Sequence, residues 1–145
     1  MKRLLHILLI CFLLTACDKL PANGDLDGMW QLIEVEHNGV IRNVKEEQIY
    51  MSIQLKLFML GDRINSMRYY GYFDHKGDSI CFWQFSYPSM NESDEDNNIP
   101  VEEDEKEDLE KWGFYSLNEV FRIEKLTKDL LIMESDSAKI RYIKF

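Results

Sequence analysis

The sequence predicts an all-β domain: an eight-stranded up-and-down antiparallel barrel with one short helix in an acidic insertion between strands five and six. Three observations carry this. Apolar residues alternate with polar ones through most of the chain after residue 28. Turn signals separate the alternating runs at short intervals. Eight such strands in one open sheet would leave two unpaired margins, and closing the sheet removes them.

The first strand is 29–36 (MWQLIEVE), followed by His37-Asn38-Gly39. Asn-Gly is a strong hairpin signal because both residues tolerate positive φ. Residues 40–44 then form the return strand. The clearest alternation is 50–59 (YMSIQLKLFM), read as one strand with Met51, Ile53, Leu55, Leu57 and Met59 on one face and Ser52, Gln54 and Lys56 on the other. A helix would bring Gln54 and Lys56 against the core. Residues 67–74 and 79–87 pair around His75-Lys76-Gly77-Asp78, which places Cys81, Trp83, Phe85 and Tyr87 on one face of the second. Three short strands end the chain, at 119–126, 130–135 and 138–145. Between them, 88–117 is polar and acidic, and 102–112 (EEDEKEDLEKW) holds strong helix formers without a β-branched residue.

The N-terminus predicts targeting. Residues 1–17 read MKRLLHILLICFLLTAC, with Lys2 and Arg3 ahead of a short apolar run, the layout of a secretory signal peptide over 1–16. Leu14-Thr15-Ala16-Cys17 resembles the lipobox of bacterial lipoproteins. That resemblance implies diacylglyceryl modification of Cys17, cleavage before it, and palmitate-type acyl chains in a lipid bilayer. Two or more chains give stable anchoring, one only marginal binding. Residues 17–27 are then a lipidated polar tether, and 28–145 the barrel domain. With residues 1–16 removed and Cys17 lipidated, Cys81 stands alone and cannot form an internal disulfide. Its apolar neighbours predict a buried, inert thiol.

Composition excludes some functions. A net charge of −9 repels nucleic acid and anionic lipid surfaces, so no nucleic acid partner is expected. No Gly-x-Ser-x-Gly, P-loop or His-Glu-x-x-His motif is present, and His37 and His75 fall in turns, so no enzyme activity is expected. The charge is local: 92–110 holds eleven acidic residues and one lysine. Asp94, Asp96, Asn98, Glu102 and Glu105 follow the ligand spacing of an EF-hand loop, with Ile99 where the turn glycine would stand. Ca²⁺ is therefore the one metal the spacing suggests. The plainer alternative is a solvated acidic face, and no other cofactor is expected.

Gly28-Met29-Trp30 resembles the Gly-x-Trp opening of lipocalins, and the run from Phe121 to Phe145 resembles the ending of lipocalin-like lipoproteins of Bacteroidota. The acidic insertion departs from the compact lipocalin meander. The resemblance implies a lipocalin-like barrel in which Trp30 plugs one end and Arg141 packs over it. It also implies residence outside the cytoplasm on the outer membrane of a Gram-negative bacterium. A barrel mouth is a usual ligand site. An apolar small molecule would be lined by Met51, Ile53, Leu55, Leu57, Trp83 and Phe85. The alternative is a solid barrel that docks another envelope protein as an accessory or structural subunit. A filled interior argues for the second.

Overall fold

The computed structural model describes residues 22–89 and 98–145. The signal segment, Cys17, Asp94 and Asp96 lie outside the described residues. Ten strands follow in chain order: β1 (Gly28–His37), β2 (Val40–Asn43), β3 (Ile49–Gln54), β4 (Leu57–Asp62), β5 (Met67–Lys76), β6 (Ser79–Pro88), β7 (Asn98–Pro100), β8 (Asn118–Leu126), β9 (Leu130–Glu134) and β10 (Ala138–Lys144). The sheet runs β10-β9-β8-β6-β5-β4-β3-β1, and β10 pairs back onto β1. Every pairing is antiparallel, so eight strands close into a barrel. The closure removes the open margins that eight strands would otherwise expose.

The eight predicted strands are not the eight wall strands. β2 pairs only with the last residues of β1 and lies outside the closed ring, with all four of its residues exposed. The run 50–59 is two strands, because the chain reverses at Leu55-Lys56 and Gln54 pairs with Leu57. Leu55 takes φ +58° there, a conformation that L side chains seldom adopt. The reversal changes which residues face inward. Met51 and Ile53 point into the barrel from β3, but Phe58 and Leu60 do so from β4, leaving Leu55 and Leu57 exposed.

Bulges shift the face in other strands. In β1 the register slips between Leu32 and Glu34, so Trp30, Leu32 and Val35 all point inward. In β6 the slip lies opposite Gly71, where Gln84 takes φ +53°. Ile80 and Phe82 face inward above the bulge and Phe85 below it, while Cys81 and Trp83 face outward and are half-buried. The face predicted to carry Cys81, Trp83, Phe85 and Tyr87 together is therefore broken at Gln84. Burial and Asp74 raise the Cys81 thiol above its ordinary range, which keeps it protonated and poorly reactive at neutral pH.

Both ends of the cylinder are covered. At one end a 3-10 helix (Gly24–Leu26) inserts Leu26, fully buried, beneath Trp30. The folded domain thus begins inside the stretch expected to be tether. At the other end the acidic insertion supplies a 3-10 helix (Lys106–Trp112) rather than an α-helix, and buries Leu109, Trp112 and Phe114. The phenyl ring of Phe114 lies among Phe58, Phe82, Phe85 and Phe121, with ring centroids 5.2–6.3 Å away. Gly113 permits this entry. Its φ is +86°, and a Cβ there would meet Ile140 Cγ2 at 2.3 Å.

Candidate functional site

The first site the sequence singles out is the plugged end. Trp30 is fully buried, and its Nε1 donates to the Leu26 carbonyl at 2.8 Å. The cation over its ring is Lys144, not Arg141: Nζ lies 4.0 Å from the ring centroid. The reason is strand parity. Ala138, Ile140 and Tyr142 face inward from β10, so Lys144 continues the inward row while Arg141 falls on the outer face and is exposed. Lys144 Nζ also donates to the Asp25 carbonyl at 2.8 Å and to the Asp27 carbonyl. Burial pulls the Lys144 ammonium below its ordinary range, against the pull of Asp25 and Asp27. The glycine of Gly-x-Trp has a local reason as well. Gly28 sits at φ +121°, and a Cβ would stand 3.1 Å from Lys144 Cε and Nζ.

The residues expected to line an interior cavity do not come together. Met51, Ile53 and Phe85 belong to the packed core; Leu55 and Leu57 are exposed, and Trp83 is on the outer face. The core they join is one continuous cluster running from Leu26 at the plugged end to Leu109, Trp112 and Phe114 at the other. Side chains from the insertion occupy the space where a barrel ligand would enter.

That insertion is held by polar contacts at its edge. Lys111 Nζ donates to the buried carboxylate of Asp62 at the end of β4. Asp62 also accepts from the backbone N–H groups of Ile64 and Asn65 at 2.9 Å and from the Asn65 amide at 2.7 Å. Burial alone would raise this carboxyl, but the hydrogen bonds from Asn65 and Lys111 outweigh it and bring it down to about 2. Tyr69, buried beside Trp112 with Asp108 and Glu105 nearby, is pushed up to about 12, burial being the main cause.

The acidic spacing does not assemble a metal site from what is described. Asn98 is on β7, paired with Pro88. The Glu105 carboxylate accepts from the Tyr87 hydroxyl at 3.3 Å and from the Glu102 backbone N–H at 3.0 Å. Among the described residues no three His, Cys, Asp or Glu side chains converge as metal ligands. His37 stacks on Tyr115 with centroids 3.9 Å apart, and its Nδ1 is 2.7 Å from the Ser137 carbonyl.

One concavity was not anticipated from the residue pattern. A cleft of about 640 Å³ opens on the flank of the barrel around the β6 bulge. β6 leaves β8 after the Trp83–Asn118 pair and takes β7 as its neighbour from Ser86 onward, so the wall parts between them. Phe58, Gly71 and Phe85 lie in its floor. Gly71 has to be glycine, since a Cβ there would sit 2.5 Å from Phe58 Cζ and 2.9 Å from the Trp83 carbonyl oxygen. Tyr70, Tyr72, Gln84, Ser86, Asn98 and Asn118 line it together with the apolar Leu57, Pro100, Val101 and Leu117.

A closed eight-stranded antiparallel barrel whose opening Gly-x-Trp tryptophan seals one end defines a lipocalin-like domain, a fold of binding proteins. The chain belongs to the lipocalin-like domain family, which it matches over residues 12–145. Among solved structures it is similar to a lipocalin-like protein from Bacteroides uniformis, at 19% identity and a TM-score of 0.60, over 84% of this chain and 100% of that one. It is similar also to an uncharacterized protein from Bacteroides eggerthii, at 20% identity and a TM-score of 0.56, over 83% of this chain and 99% of that one. No curated protein matches the sequence.

Proposed function

We propose that this is a non-catalytic lipoprotein, anchored outside the cytoplasm through a diacylglyceryl group on Cys17, most simply on the outer membrane. Its lipocalin-like domain binds a small molecule at the flank cleft instead of carrying an apolar one inside the barrel. The filling of the interior from both ends, by Leu26 and Trp30 at one and by Leu109, Trp112 and Phe114 at the other, argues against a ligand carried inside the barrel, and the observation that supports the cleft is its size. The concavity of about 640 Å³ on the flank falls in the size range of small-molecule sites. The lipobox Leu14-Thr15-Ala16-Cys17 supports the anchor.

A second reading is favoured by the exposed apolar residues Leu57, Tyr72 and Val120 on β4, β5 and β8: an accessory protein that docks a partner in the envelope. Native mass spectrometry of the protein purified from its own host separates the two. A retained mass of a few hundred daltons supports ligand binding; a stoichiometric protein partner with no small ligand supports docking. The anchor has its own measurement. Cys17→Ala should move the protein from the membrane to the soluble fraction, and membrane retention without detergent would refute lipidation at Cys17.

A further inference from the structure

We propose that the flank cleft binds a neutral saccharide, a deduction that rests on the cleft being the ligand site. Its chemistry is selective. None of the described residues lining it is charged, in a chain with 26 acidic and 17 basic residues. An ionic ligand would find no counter-charge among those described residues. An acyl chain would strip water from Gln84, Asn98 and Asn118 without returning a hydrogen bond, which costs free energy for each amide. Primary amides both donate and accept, as sugar hydroxyls do, and Ser86 adds a hydroxyl to the same wall.

The aromatic side of the cleft matches the other half of a sugar. Tyr72 is 44% exposed although it is a large ring on a barrel wall. It is held flat by stacking on Trp83, with centroids 5.3 Å apart and planes 29° from parallel. A braced, exposed ring offers an apolar platform to the C–H face of a pyranose at little cost in side-chain entropy. The bulge supplies an independent observation. Gln84 holds φ +53°, an unusual conformation for a non-glycine residue, and lines the cleft from that position. Strained backbone of this kind is concentrated at binding sites.

The experiment is a screen of the purified domain against an array of neutral glycans, followed by titration with a bound oligosaccharide. Trp83 fluorescence is the readout, because its ring is stacked on Tyr72. The wild-type protein should bind at least one neutral oligosaccharide at up to millimolar concentration. Tyr72→Ala should weaken that binding about tenfold, and Gln84→Ala should weaken it measurably. Both side chains are exposed, and an unchanged thermal midpoint shows that the fold is intact. Failure of every neutral glycan to bind overturns the proposal, as does binding indifferent to both substitutions. A parallel titration with dodecanoate separates the two levels of the argument. A response to dodecanoate that depends on Tyr72 keeps the cleft as a ligand site while refuting the saccharide. No Tyr72-dependent response to either probe, with a protein partner in the native mass spectrum, refutes the cleft itself.

Discussion

The two ends of the barrel are sealed by buried tryptophans that differ in what their indole N–H groups meet. The indole N–H of Trp30 reaches the nearby Leu26 carbonyl, and Lys144 from the last strand lies over its ring. Trp112 arrives on an acidic insertion, is equally buried and has Lys111 Nζ 4.6 Å from its ring centroid, but its Nε1 has no hydrogen-bond partner among the described residues. At the first end the indole N–H of Trp30 is satisfied. The second is held by apolar filling and by the Asp62–Lys111 pair at its margin. An unpartnered buried donor costs about 1–3 kcal/mol. The Trp112 indole therefore carries a cost that the Trp30 indole does not, and the contrast can be tested by mutation.

The largest effect should come from Trp30→Ala. It removes a fully buried indole and leaves the Leu26 carbonyl without its donor. A loss of about 4 kcal/mol in chemical denaturation is expected, as for other large-to-small core substitutions. A loss below about 1 kcal/mol would show that the Gly-x-Trp end contributes little.

The latch at the insertion end comes next, and it depends on pH. The Asp62 carboxyl is held at about 2 in the folded protein against 3.8 for the unperturbed group. A lowered folded value means that the unfolded chain takes up the proton first as pH falls. The stabilisation is complete above pH 3.8 and disappears as pH drops towards 2. Its size at neutral pH is about 2 kcal/mol. Asp62→Asn should lose that amount at neutral pH and converge with the wild type in acid. A constant difference across the whole range would assign the effect to the turn over Ile64 and Asn65 and not to charge.

Much of this architecture was legible in the sequence, though partly by compensation. The expected count of eight holds because two differences cancel: β2 stands outside the wall, and the single run 50–59 supplies parts of two wall strands, β3 and β4. The hidden reversal at Leu55-Lys56 carries no glycine, asparagine or proline, so nothing in the local chemistry announces it. The bulge at Gln84 is hidden for the same reason, and it undid the assignment of Trp83 to the interior. Alternation reports faces only while the register is unbroken. Where it was unbroken, in β10, parity alone would have chosen Lys144 over Arg141 as the cation above Trp30. The cleft was not legible at all, because it exists only where β6 changes neighbours from β8 to β7.

The smallest effect sharpens the comparison most, because it asks the same question of both ends. Trp→Phe keeps an aromatic ring and removes the indole N–H. At Trp30 it leaves the Leu26 carbonyl unpaired in the core and withdraws part of the surface under Lys144. A cost of about 2 kcal/mol is expected. At Trp112 it removes a donor that has no partner among the described residues, and the relief of that unpaired group offsets the volume lost beside Tyr69. The net change should lie within about 1 kcal/mol of zero. Equal losses at both sites would mean that the Trp112 N–H is satisfied in solution, by bound water in the insertion end, and that the two ends are sealed alike.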